Sequence, residues 1–321
     1  MKLTKKLTPI ASMVLLTLGS MSVAQASDSV LSDKLSIGGF IDMSYYASDT
    51  DGGSSTHDAG IDQVEINVGY DFGNKLTAAV DIEYQDQSDD LEDNQEVDIE
   101  QAFINYAISD SVSIKAGRFL SYSGWETEEP TGLFQYSGTG YGGIFYGGYQ
   151  QGVSALYSGD GFSAAVSIVN DLGGEGTDTE HPAVETMVAF MPSDSITIKG
   201  FYSKDGDVEL LNTWASYSVD SLTLAAEYNT AEDSMFVGSD ASGYLLMANY
   251  GFSNDWGFTV RYHDYEVEDA AGATFVEQSA ITLSPSYVVN DNLLMVFEYR
   301  MNDNGAGADV DELAIEALVT F

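Results

Sequence analysis

From Lys34 onward, apolar and polar side chains alternate with a period of two, the side-chain period of a β-strand. In 34–47 one face carries Leu35, Ile37, Gly39, Ile41, Met43 and Tyr45, and the other Ser36, Gly38, Phe40, Asp42, Ser44 and Tyr46. In 75–85, Leu76, Ala78, Val80, Ile82 and Tyr84 lie opposite Thr77, Ala79, Asp81, Glu83 and Gln85. In 221–229, Leu222, Leu224, Ala226 and Tyr228 face away from Thr223, Ala225, Glu227 and Asn229. The pattern predicts an all-β chain in which each strand has one apolar face. Past the N-terminal segment, no run approaches 18 uninterrupted apolar residues, so no membrane-spanning helix is expected.

The connections alternate as well. One set is short and rich in turn residues: 72–74, 109–110, 158–161, 192–194, 220–221, 253–255 and 290–292. The other set is mostly longer, polar and acidic: 48–60, 86–94, 119–140, 170–182, 204–207, 230–240, 266–274 and 302–309. Together they separate sixteen segments. An even number of strands, with short turns at one end and longer loops at the other, is the pattern of a transmembrane antiparallel β-barrel. Backbone in hydrocarbon must pair all its polar groups, so a sheet there has to close. Aromatics recur at both strand ends. Tyr70, Phe72, Tyr106, Phe190, Tyr217, Phe252, Trp256 and Tyr287 lie by the turns, and Tyr45, Tyr84, Tyr202, Tyr228, Tyr262 and Tyr299 by the loops. Two such belts mark two membrane interfaces. The expected architecture is a 16-strand barrel with short periplasmic turns and longer extracellular loops.

Both chain ends fit this reading. Lys2, Lys5 and Lys6 precede a mostly apolar stretch, 10–23, and Ala24-Gln25-Ala26 has the small-x-small form of a cleavage site. Residues 1–26 are therefore read as a signal peptide and 27–321 as the barrel. The last residues, Leu313-Ala314-Ile315-Glu316-Ala317-Leu318-Val319-Thr320-Phe321, alternate to a terminal Phe. That ending resembles the C-terminal strand of Gram-negative outer-membrane proteins, which implies recognition by the barrel-assembly machinery through Phe321.

The fifth segment, Val112-Ser113-Ile114-Lys115-Ala116-Gly117-Arg118-Phe119, leads into the longest loop, which begins LSYSGWETEEP. A Gly-Arg near the end of strand five, followed by a long third loop, resembles the Gram-negative outer-membrane porin superfamily. The resemblance implies a water-filled channel narrowed by loop three (about 119–140) folded into the lumen, and association of three barrels into a homotrimer. Two features depart from the family pattern. The acidic Phe-Gly-Gly signature is absent from 119–140, with Phe145-Tyr146-Gly147-Gly148 coming later, and the wall lacks a dense arginine ladder.

If apolar faces meet lipid, the other faces line the pore. Alternation then puts Asp42, Glu65, Asp81, Glu83, Glu185, Glu227, Glu298, Glu312 and Glu316 inside, with Lys115, Lys199, Arg261 and Arg300. Strict alternation points Arg118 at lipid; a place past the strand end, turned to the lumen, suits a charge better. The apolar set also shifts near Glu100-Gln101, which a β-bulge would explain. Glu126, Glu128 and Glu129 on loop three, facing Lys115, Arg118, Arg261 or Arg300, would set a transverse field across the constriction. Low-dielectric walls focus such a field.

The chain holds 51 acidic and 11 basic residues, a net charge of −40. Nucleic acid is excluded as a partner, because phosphate contacts need clustered Lys and Arg. The expected partners are outer-membrane lipid and lipopolysaccharide, small hydrophilic solutes and cations. There is no Cys, no Gly-x-Ser-x-Gly elbow, no His-Glu-x-x-His and no phosphate loop, so neither an enzyme nor a cofactor is expected. His57 and His181 lie in acidic loops and His263 beside Arg261, where a pore-lining or packed role suits it.

The expected function is a cation-selective diffusion channel. Two alternatives stand beside it. One is a sugar-selective channel, with Tyr122, Trp125, Phe134 and Tyr136 stacking on rings; the other is a structural or adhesive surface barrel. The outer acidic runs, Asp49-Thr50-Asp51-Gly52-Gly53 and Asp86, Asp89, Asp90, Glu92 and Asp93, read as solvated charge, with weak divalent-ion binding as the alternative.

Overall fold

Alternation of the two faces, punctuated by turn residues, produces sixteen strands in the computed structural model, which describes residues 33–85, 97–126, 129–173 and 181–321. They are β1 (Leu35–Thr50), β2 (Ser55–Gly73), β3 (Leu76–Gln85), β4 (Val97–Ala107), β5 (Val112–Leu120), β6 (Tyr149–Gly159), β7 (Phe162–Val169) and β8 (Ala183–Ser193). The second half comprises β9 (Ile196–Asp205), β10 (Val208–Val219), β11 (Leu222–Glu232), β12 (Asp240–Gly251), β13 (Trp256–Glu268), β14 (Thr274–Asn290), β15 (Leu293–Asp303) and β16 (Val310–Thr320). Each pairs antiparallel with its sequence neighbours, and β1 pairs with β16 from Phe40↔Thr320 to Thr50↔Val310. The ladder closes on itself, so no unpaired edge is left. The signal-peptide segment and the acidic run from Asp86 to Asp93 lie outside the described residues.

The seven short turns fall where the turn residues do. At the β2–β3 turn Asn74 and Lys75 both have positive φ (55° and 69°), the backbone twist that a two-residue hairpin requires. Several loops are shorter than expected. The β1–β2 hairpin extends to leave only 51–54 as its tip, because polar pairs such as Ser48–Thr56 (2.7 Å) and Ser55–Asp49 (2.9 Å) continue the ladder. Asp49 is thus a strand residue. Conversely, loop three is longer than the expected 119–140. It runs from 121 to 148, with a short 3₁₀ turn (Pro130–Gly132) and a single-turn helix α1 (Gly142–Phe145). Phe145-Tyr146-Gly147-Gly148 therefore closes loop three instead of following it.

The polarity of the barrel is inverted relative to a water-soluble fold. Ile66, Ile104, Val166, Leu224 and Ile281 are exposed on the outside, whereas Asp42, Glu65, Glu185, Glu227 and Arg261 are buried inside. Each exposed aliphatic chain would cost roughly 1.5–3 kcal/mol relative to burial, so this exterior requires an apolar solvent. The aromatics at the strand ends point outward with them, among them Phe72, Phe190, Phe252, Tyr202 and Tyr228.

The β-bulge expected near Glu100 is present. Asp81 pairs with Gln101 and Ile82 with Ile99, leaving Glu100 as the extra residue, buried inside. One glycine on β5 is required by its surroundings. Gly117 has φ +133°, and a Cβ there would lie 2.2 Å from the Ala102 carbonyl oxygen. Gly117→Ala should lower the barrel's stability by about 1–3 kcal/mol, from backbone strain and the clash. The thermal midpoint of the band shift on unheated gels measures it; an unchanged midpoint would contradict the strain.

The interior is not uniformly polar. On β8 to β13, Met187, Phe201, Leu210, Trp214, Leu245 and Val267 point inward and pack with Trp125, Tyr141 and Phe145 of loop three. The expectation of a polar lumen fails on this side because these strands seat the loop.

Candidate functional site

Loop three lies against the inner wall, and charged and polar groups hold it at several places. The first clamp is built from β13 and β15, whose inward residues include Arg261, His263 and Arg300. Arg261 is fully buried and donates from Nη1 to Glu126 Oε1 (2.6 Å) and the Ser137 carbonyl (2.6 Å). Its Nη2 reaches Ser137 Oγ (3.1 Å), the Gly138 carbonyl (3.3 Å) and Thr282 Oγ1 (3.0 Å). Arg300 donates to the carbonyls of Gly138 (2.9 Å) and Thr139 (3.1 Å), with Glu312 at 3.6 Å from its Nε. Glu126 completes the turn by accepting from Gln135 Nε2 (2.9 Å) and the Thr139 N–H (2.7 Å). The Ser137 N–H donates to Glu298 (3.1 Å), and Thr259 Oγ1 donates to the Phe134 carbonyl (2.8 Å).

The second clamp centres on Glu227 of β11. It accepts from the Trp125 N–H (2.7 Å), Asn212 Nδ2 (2.6 Å), the Tyr141 hydroxyl (2.8 Å) and the Tyr146 hydroxyl (2.5 Å). Burial, and then the Glu227 carboxylate, pushes both phenols well above their usual value, so they keep the protons they donate. On β8, Glu185 accepts from the Ser121 hydroxyl, the Tyr122 N–H (3.2 Å) and Gln150 Nε2 (3.1 Å), fixing the start of the loop.

The expected site residues divide between these neighbourhoods. Glu126, Arg261 and Arg300 come together as one cluster, in which Glu126 and Arg261 touch. Lys115 lies over the rings of Phe103 (4.7 Å), Tyr122 (5.2 Å) and Phe119 (5.5 Å), and Lys199 over Trp214 (4.7 Å). Arg118 keeps the outward register, beside Ala102 and Gln151. Its Nε donates to the Glu100 carbonyl (2.9 Å), with Asp98 at 3.9 Å and the Tyr149 ring at 5.8 Å. Glu129 turns toward β2 and β6, accepting from Gln63 Nε2 (3.1 Å) and the Tyr149 hydroxyl (2.8 Å). Burial, then Glu65, pushes the Glu129 carboxyl well above the usual carboxylate range. Glu128 lies outside the described residues. Asp42, Glu65, Asp81, Glu83, Glu185, Glu227, Glu298 and Glu316 are all buried on the inner face, and Glu312 is half-buried there.

The aromatic candidates for stacking on a solute are engaged with the protein. Trp125 stacks on Phe134 (6.2 Å, 10°) and meets Trp214 edge-on (5.2 Å). The Tyr122 hydroxyl donates to Ser154 (3.2 Å), and the Tyr136 hydroxyl is 3.1 Å from Ser44 Oγ and 3.3 Å from Asp62. Sequence reading missed Gln135, Ser137, Thr139, Tyr141, Tyr146 and Asn212. Only β10 carried a usable signal: Leu210 and Trp214 share their alternation phase with Asn212 instead of opposing it, which marks an inner face built to receive something apolar.

The family model described as Gram-negative porin matches residues 11–307. No curated protein matches the chain. Among solved structures, Salmonella typhi OmpF in complex with daunomycin aligns at TM-score 0.71 and 16% identity, over 89% of this chain and 97% of that one. An anion-selective porin from Comamonas acidovorans aligns at TM-score 0.70 and 15% identity, over 89% and 99%. The trimer form of Vibrio cholerae OmpT, an outer-membrane protein, aligns at TM-score 0.65 and 13% identity, over 90% and 100%.

Proposed function

The chain belongs to the Gram-negative porin family, an outer-membrane barrel for diffusion, and from that premise we propose that it is a cation-selective channel for small hydrophilic solutes, narrowed by loop three. The observation that carries the selectivity is how the inner-wall charges are used. Arg261 and Arg300 spend most of their donors on loop three, Arg261 partly on Glu126, and Lys115 and Lys199 lie on aromatic rings. Apart from the group around Glu65 and Glu83, the acidic side chains Asp42, Asp81, Glu185, Glu227, Glu298 and Glu316 on the inner face outnumber them. A low-dielectric wall focuses that negative charge into the pore and enriches cations there. Identity this low carries fold and not selectivity, as the anion-selective structure at 15% identity illustrates.

The test is a reversal potential in a planar bilayer under a KCl gradient. It should lie toward the potassium equilibrium potential, and a shift toward that of chloride would overturn the reading. Sugars added to the same bilayer should produce no saturable block, because Trp125, Phe134, Tyr122 and Tyr136 already have partners in the protein. A concentration-dependent block would instead support a sugar-selective channel. The trimeric form of one similar structure suits assembly of three such barrels; crosslinking of the native outer membrane would show it.

A further inference from the structure

We propose that Glu65, Glu83, Glu100 and Glu129 form a calcium site on the inner wall of the barrel. The backbone creates it. Glu65 on β2 lies directly across the ladder from Glu83 on β3. The bulge on β4 adds Glu100 as a residue without a ladder partner, and its side chain is buried inside with theirs. Glu129 reaches the same place from loop three. Carboxylate oxygens of Glu65, Glu100 and Glu129 lie within 4.8 Å of one another. Two oxygens on opposite sides of a calcium ion, each about 2.4 Å away, are about 4.8 Å apart, so the three already have the spacing of a shared ion.

A second observation points into the same place. Glu83 is 8% exposed and Glu100 5% exposed, yet Glu83 Oε1 and Glu100 Oε2 receive no hydrogen bond from a donor group among the described residues and lie against neighbouring carboxyls instead. Three hydrogen bonds to the other two carboxylates come from neutral groups. Asn67 donates to Glu65, and Gln63 and Tyr149 donate to Glu129. Arg118 approaches Glu100 through its backbone carbonyl. Buried carboxylates with orphan oxygens and neutral donors are costly to keep ionised. A hard divalent cation that takes six to eight oxygens supplies both the charge and the missing partners. Magnesium, which demands near-octahedral geometry and holds its water, fits a carboxylate ring less well.

The site does not rest on the channel reading, because it is read out by binding to the folded barrel. The experiment is calorimetry with CaCl2 on the full-length barrel, folded in detergent and stripped with a chelator. The wild type should show saturable binding of about one ion, with a Kd on the order of 10⁻³ M or tighter. Glu100→Gln and Glu129→Gln should each weaken it by about tenfold or more. Asp49→Asn, at the β1–β2 rim, should leave it unchanged. Glu129 lies on the loop, so its variant leaves the ladder intact if a wall substitution impairs folding. Absence of saturable heat in a wild-type barrel that conducts normally would overturn the site while leaving the channel intact. So would wild-type affinity in both Gln variants, or loss of binding in Asp49→Asn alone.

Discussion

Arg261→Ala is expected to raise single-channel conductance about twofold or more and to destabilise the loop's seat by about 3–5 kcal/mol. The side chain makes five hydrogen bonds, four of them to loop three and one to Thr282. Its loss leaves the buried Glu126 carboxylate without its ion-pair partner and strips donors from the carbonyls of Ser137 and Gly138. The uncompensated charge is the larger part of that cost. Arg300 has its own Nη donors on the Gly138 and Thr139 carbonyls. Arg261→Lys should give only partial recovery, because an ammonium lacks the fork that serves Nη1 and Nη2 partners together. Conductance in planar bilayers and the thermal midpoint of the folded band are the measurements. Wild-type values of both in Arg261→Ala would show that the clamp does not hold the loop.

Glu227→Ala should release the other half of the loop. The carboxylate gathers the Trp125 N–H, Asn212 and the phenols of Tyr141 and Tyr146. Removing it leaves buried donors without an acceptor, at about 1–3 kcal/mol each, and frees Trp125 from its seat against Trp214 and Phe134. Tryptophan emission should shift to the red as water reaches those indoles, and the single-channel current should become noisy. Glu227→Gln should fall between, since its amide nitrogen cannot accept the hydrogen bonds that one carboxylate oxygen takes. Emission unchanged in Glu227→Ala would mean that the aromatic packing alone seats the loop.

Much of the barrel was legible because a strand's period is local. The alternation in β3 and β11 alone assigns inside and outside, and the structure agrees residue by residue at Asp81, Glu83, Glu227 and Asn229. The break in phase at Glu100 was visible for the same reason, and the ladder shows it as one extra residue. Arg118 was harder. Its alternation gave the outward register correctly, and the expectation that it turn to the lumen weighed the cost of a charge against lipid without knowing that the Glu100 carbonyl and Asp98 were beside it.

Loop three marks the boundary of what a one-dimensional pattern can carry. Residues 121–148 have no repeating period, and their partners lie on strands up to 162 residues further along the chain, as when Ser137 meets Glu298 and Gly138 meets Arg300. Which of the acidic residues face a counter-charge, and which face one another, depends on how barrel closure stacks strands from the two ends of the sequence. Alternation, turn chemistry and chain charge thus set the strand number, the inside-out polarity and the acidic lumen, because each follows from neighbours in sequence. The contact of Glu126 with Arg261, the four donors on Glu227 and the gathering of Glu65, Glu83, Glu100 and Glu129 were decided only by closure and by the bulge. Those bring together groups whose separation along the chain leaves no local trace.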